Sequence, residues 1–205
     1  MQARAKQLTL IDTFIELDFT NARLAALLRS IVLILGFSML IALSARVIIP
    51  LPFTPVPITA QTFAILVTGA LLGPRLGVAA VIAYLLEGAL GLPVFQNGNG
   101  GLLYMTGPTG GYLFGFLISA AITGWFATRG FDRRFSTAVV TMALAEISLY
   151  VCGLSWLAYF LPQERLLELG LLPFLPGDII KIALAAAVLP TGWRLLGRRS
   201  TRSAN

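Results

Sequence analysis

The feature that most constrains this chain is a succession of long, nearly uncharged apolar runs, at 31–49, 58–72, 76–92, 108–128, 135–161 and 179–197. Each approaches the length of about 20 residues that a helix needs to cross a bilayer core. Inside lipid, backbone polar groups must bond within their own segment, so such runs are expected to be helices. The mean hydropathy of +0.85 and a charged fraction of 12% agree, since soluble domains carry about twice that charge. The chain is expected to be an all-α, polytopic membrane protein with six transmembrane helices. Residues 1–30 read as an amphipathic cytoplasmic segment, 31–197 as the membrane domain and 198–205 as a basic cytoplasmic tail. The first apolar run, reaching spanning length after a charged leader, reads as a retained helix.

Orientation follows from the basic residues, which favour the cytoplasmic side. With the N-terminus inside, inner segments hold Arg4, Lys6, Arg23, Arg29, Arg75, Arg129, Arg133, Arg134, Arg194, Arg198, Arg199 and Arg202. Outer segments hold Arg46 and Arg165. Both termini are thereby expected in the cytoplasm. The net charge of +6 reads as a topology signal rather than a nucleic-acid footprint. This orientation turns three connectors outward: 50–57 (PLPFTPVP), 92–112 (LPVFQNGNGGLLYMTGPTGGY) and 162–177. Proline stiffens the first, while the second offers neutral amides on a glycine-rich backbone that a ligand can approach closely. The three either converge into a rigid mouth or simply end helices.

Of the charges in or beside the apolar runs, four matter most, Glu87, Glu146, Asp178 and Lys181, since intramembrane charges are functional candidates by default. Asp178 and Lys181, at i and i+3, share a helix face. They form either a local ion pair or a donor–acceptor pair aimed at a polar ligand group, the second being preferred. Glu87 and Glu146 are each either hydrogen-bonded structural carboxyls or members of a proton relay. Small residues at spacing four, Gly69, Gly73 and Gly77, Gly111 and Gly115, and Ser38 and Ala42, allow close helix packing, and those on the first helix either hold the bundle together or meet a partner membrane protein. The single Cys152 excludes an internal disulfide, and histidine is absent. No phosphate-binding G-x-x-x-x-G-K-[ST], H-E-x-x-H or G-x-S-x-G motif occurs. From the residues alone this is a small membrane receptor or carrier subunit without its own motor, with no catalytic residues, metal or cofactor expected.

Five blocks in order, PVPITAQT (55–62), GALLGPRLG (69–77), YLLEGALGLPVF (84–95), GPTGGYLFGF (107–116) and PGDIIK (176–181), resemble the BioY family. Its members are the biotin-binding S components of energy-coupling-factor (ECF) transporters. The resemblance runs from the end of the first helix to Pro190. Gln96 stands where the family usually has a small residue, and Ser155 where it has a proline. The resemblance implies a six-helix S-component bundle in the cytoplasmic membrane, with biotin bound near the outer face. It implies as partners a transmembrane coupling protein and two cytoplasmic ATPases that use the ATP. Ser38, Ala42 and Ala45 would then form part of the coupling surface. Asp178 would accept the ureido N–H groups, and Lys181 would meet either the ureido carbonyl or the carboxylate. Asn97 and Asn99 would add amide contacts, Tyr112 and Phe95 would pack on the thioether ring, and Gln61 is a further candidate. The rival readings are an S component for another vitamin and a proton-coupled or solitary carrier using Glu87 and Glu146.

Overall fold

Apolar runs do become helices here, and glycine decides how closely they pack. The computed structural model describes Thr9 and residues 22–202, with side chains as far as Leu195. Helix α1 (Ala22–Ser44) leads into two short strands, β1 (Ile48–Ile49) and β2 (Ile58–Thr59). These pair antiparallel, Ile48 with Thr59 and Ile49 with Ile58, and so pin the ends of the proline-rich loop. Helix α2 (Gln61–Ala89) follows, then a 3-10 turn at Gln96–Gly98 and the short α3 (Leu102–Met105). Next come α4 (Gly110–Ala127), a 3-10 turn at Phe131–Arg133 and α5 (Phe135–Leu157). A third 3-10 turn, Gln163–Arg165, precedes α6 (Leu166–Gly170) and α7 (Leu175–Arg202).

Among the described residues, five helices are long and apolar enough to cross a membrane: α1, α2, α4, α5 and α7. The count differs from the six expected because the second and third apolar runs lie on one helical element. That element is not straight. Gly73 has φ 77° and ψ 176°, outside the helical region and readily reached by glycine. Around it the chain doubles back, so that the Gln61 amide donates to the Tyr84 hydroxyl at 2.6 Å across 23 positions. In a straight helix those residues would stand roughly 34 Å apart. Gly69 and Gly77 face each other beside the tip; a Cβ on Gly77 would sit 2.9 Å from the Gly69 Cα. Proline at 74 accommodates the reversal because it needs no N–H partner where the second arm starts.

The hairpin and α4 form the centre of the bundle, with 61% of their apolar windows buried against 22% for α1 and 28% for α7. Gly69 abuts Ala120 and Thr123 of α4, and Gly124 abuts Pro74, so side chains larger than hydrogen would force the helices apart. The Ser119 hydroxyl donates to the Ala145 carbonyl at 2.8 Å, tying α4 to α5. At the far end, the Trp193 indole donates to Asp132 at 2.7 Å and holds α7 there.

Three expectations change. Helix α1 runs without a break through residue 30, so residues 22–30 belong to the first apolar helix; the rest of the expected amphipathic segment, Thr9 apart, lies outside the described residues. Helix α7 likewise continues into the expected basic tail as far as Arg202. Ser38, Ala42 and Ala45, expected from the resemblance in the coupling surface, are buried within the bundle, with exposures of 0%, 7% and 0%. Small size here brings α1 against the second arm of the hairpin, where the Ser38 hydroxyl donates to Glu87 at 2.7 Å. The bond also gives Glu87 a structural partner.

Candidate functional site

Three connectors meet at one end of the bundle and are bonded to one another. The Arg46 guanidinium donates to the Pro93 carbonyl, joining the first connector to the second. The Thr54 hydroxyl donates to the Leu169 carbonyl at 2.8 Å, joining the first to the third. The Trp156 indole donates to the Gly107 carbonyl at 3.0 Å, and the Tyr112 hydroxyl to the Gly170 carbonyl at 2.8 Å. The opposite end carries Arg75 at the hairpin tip, Arg129, Arg133 and Arg134 between α4 and α5, and Arg194 near the end of α7.

Beneath the bonded connectors lies a recess of about 580 Å³, its mouth included. Its polar side is built by α7, α5 and the first arm of the hairpin. Asp178 is 4% exposed and one helical turn from Lys181. The Lys181 ammonium donates to Asp178 Oδ1 at 3.0 Å and to the Thr62 hydroxyl at 2.9 Å. The Tyr150 hydroxyl donates to the other Asp178 oxygen. A buried ion pair is maintained only when its remaining lone pairs and protons find partners. Asp178 has them on both oxygens, whereas Lys181, with three donors, has used two. Glu146 lines the same recess one turn from Tyr150, is 5% exposed, and neither of its oxygens receives a hydrogen bond.

The opposite side is aromatic. Phe95 is fully buried, edge-on to Tyr84 with centroids 5.4 Å apart and stacked on Tyr104 at 5.3 Å. Its ring lies over Gly88, where a side chain would collide with it. The Tyr104 hydroxyl is buried beside Thr109 and Gln96, and burial pushes its pKa upward, so it remains protonated. Tyr112 stands edge-on to Tyr150 at 6.4 Å, and Phe116 and Phe174 complete the apolar surface.

Of the residues picked out by sequence, the structure brings Asp178, Lys181, Tyr112, Phe95 and Gln61 together around the recess. Asn97 and Asn99 are exposed and lie outside its walls. Asn97 takes the positive φ of the turn, 57°, and the Asn99 amide donates to the Gln96 carbonyl at 2.9 Å. Gln96 itself, noted only as a departure from the family pattern, does line the recess. Tyr150, Thr62 and Tyr104 escaped the sequence reading. Tyr150 had a usable signal, since it lies four residues after the intramembrane Glu146 and therefore on the same face.

A polytopic helical bundle with an end-on, half-polar and half-aromatic recess has the architecture of a small-solute-binding membrane protein. Within that class the assignment is specific. The BioY family model matches residues 13–198, and the chain belongs to the BioY family. It is 38% identical over 153 residues to the Biotin transporter BioY of Thermotoga maritima, covering 74% of this chain and 88% of that protein. It is 35% identical over 174 residues to the Biotin transporter BioY of Rhizobium etli, covering 80% and 93%. The fold is similar to the 2.1 Å crystal structure of the S-component for biotin from an ECF-type ABC transporter. The TM-score is 0.74 and the identity 29%, over 85% of this chain and 94% of that one.

Proposed function

We propose that this chain is the biotin-binding S component of an ECF-type transporter and carries biotin across the cytoplasmic membrane. The observation that carries the reading is the Asp178–Lys181–Tyr150 cluster buried opposite the Phe95–Tyr104 wall, in a chain of this family. Biotin is a ureido ring fused to a thioether ring, with an alkyl chain ending in a carboxylate. In this reading the third donor of Lys181 meets the ureido carbonyl, and Asp178 accepts a ureido N–H in a charge-assisted bond. The thioether ring packs against Phe95 and Tyr112, whose faces and edges suit a polarizable sulfur. Gln61 stands at the polar rim. Asn97 and Asn99 act on the ligand through the shape of their loop, or after that loop moves.

The two hairpin arms, 61–72 and 74–89, are about 18 Å and 24 Å long at 1.5 Å per residue. We count them as two crossings, giving six membrane segments. The arginine-rich end faces the cytoplasm and the recess faces out, with both termini inside. Without a phosphate-binding loop of its own, the chain draws on a transmembrane coupling protein and two cytoplasmic ATPases. Uptake of labelled biotin is the test, in a bacterial host lacking its own biotin transporter. The chain expressed with a coupling protein and ATPases is expected to import biotin. Abolishing ATP hydrolysis in those ATPases is expected to stop import. Equal uptake by the chain alone, driven by a pH gradient, would instead establish a proton-coupled carrier.

A further inference from the structure

Glu146 is the one acidic side chain of the recess that, among the described residues, accepts no bond from an N–H, ammonium or hydroxyl donor; its nearest polar neighbour is the other carboxyl, Asp178. It is 5% exposed, it lines the recess, and among the described residues no donor bonds to either of its oxygens. Its charged neighbours are the Asp178 carboxylate and the Lys181 ammonium. A buried carboxyl without a donor costs stability, so its retention calls for a role that the empty recess does not satisfy. Resting on the biotin reading above, ligand geometry supplies that role. The two N–H bonds of a five-membered cyclic urea point away from each other, on either side of the carbonyl. One carboxylate cannot receive both. Asp178 is further limited because its oxygens already accept from Lys181 and Tyr150. We infer that Glu146 is the second ureido acceptor, so that Asp178 and Glu146 take one N–H each while Lys181 holds the carbonyl.

Helix α5 sets this up, because Glu146 and Tyr150 lie one turn apart on the face that lines the recess. Tyr150 occupies Asp178 from that face, and Glu146, one turn deeper, stays free. The arrangement also makes the site selective. A ligand with a single N–H, or with an oxygen in place of one nitrogen, would leave one carboxylate desolvated and unpaired.

The test is biotin binding by calorimetry to the detergent-solubilised full chain. Wild type, Glu146→Gln and Glu146→Leu are compared, with biotin and with two analogues each methylated on one ureido nitrogen. Glu146→Gln is expected to weaken biotin binding about tenfold or more and Glu146→Leu about a hundredfold or more. One of the two methylated analogues is expected to bind Glu146→Leu as well as it binds wild type, because the same contact is missing from both. Melting of the empty Glu146→Leu protein should not fall, since no bond from a donor is lost; if that variant does not fold, Glu146→Met carries the comparison. Wild-type affinity in Glu146→Leu, or in Glu146→Met, overturns the inference, because neither side chain offers an oxygen acceptor. Absence of biotin binding by wild type overturns the biotin reading and the inference with it.

Discussion

Lys181 concentrates the chemistry of the recess in one ammonium group. Two of its donors fix Asp178 and Thr62, and the third is left for a ligand. Lys181→Ala leaves the buried Asp178 carboxylate with Tyr150 alone, and truncating one member of a buried charged pair typically costs about 2–5 kcal/mol. Biotin affinity is therefore expected to fall about a hundredfold or more, read by equilibrium binding. Tyr112→Phe is a contrasting case. It keeps the ring against the ligand but removes the 2.8 Å bond to Gly170. Thermal stability should drop by about 1 kcal/mol, while affinity changes less than threefold. Asp178 and Lys181 were legible because charge at i and i+3 in an apolar run is costly and therefore conspicuous. Asn97 and Asn99 were named for their amides, yet backbone conformation sets where those amides point. Asn97 occupies the left-handed region and Asn99 bonds its own turn, which composition alone does not reveal.

At the scale of elements, the hairpin of α2 does most to shape the recess. It places Gln61 and Thr62 on one arm beside Tyr84 on the other, and its tip packs on Gly124 of α4. Gly73→Ala puts a Cβ at φ 77°, ψ 176°, a backbone region that essentially only glycine occupies, a strain of about 1–3 kcal/mol. Gly69→Val is expected to do more harm, because the added carbons meet both the Thr123 hydroxyl and the Ala120 backbone, and the backbone cannot move aside. Melting of the purified variants should rank wild type above Gly73→Ala, and Gly73→Ala above Gly69→Val. The reverse order would place the decisive constraint in the tip conformation. The apolar runs at 58–72 and 76–92 were readable as helical, and the small residues between them as a packing device. The reversal between them near Arg75 was readable too; that a single glycine, Gly73 at φ 77°, makes it was not. The small residues of α1 were readable as a packing device, but which neighbour they admit was not. A small side chain permits close approach, but which neighbour approaches is a tertiary matter, and here it is the second hairpin arm.

Over the whole molecule, basic residues gather at the end opposite the recess, and the mouth end carries Arg46 and Arg165 together with the neutral loop. This gives an orientation that labelling can read. In a Cys152→Ser background, Leu103→Cys sits on the exposed α3, 88% accessible, and Arg134→Cys at the opposite end. A membrane-impermeant maleimide on intact cells is expected to label the first and not the second. The helical, polytopic character was legible from the apolar runs, whereas the bonding of three connectors into a single mouth was not. That mouth depends on side chain-to-backbone bonds spanning up to 115 positions, such as Thr54 to Leu169, for which no local pattern exists. The central claim is that the recess under this mouth is a biotin site built around Asp178 and Lys181. Calorimetry of the purified wild-type protein with biotin, thiamine and riboflavin tests it most directly. The account predicts saturable one-to-one binding of biotin that neither other vitamin displaces and that Lys181→Ala abolishes; tighter binding of thiamine or riboflavin, or undiminished biotin binding by Lys181→Ala, would contradict it.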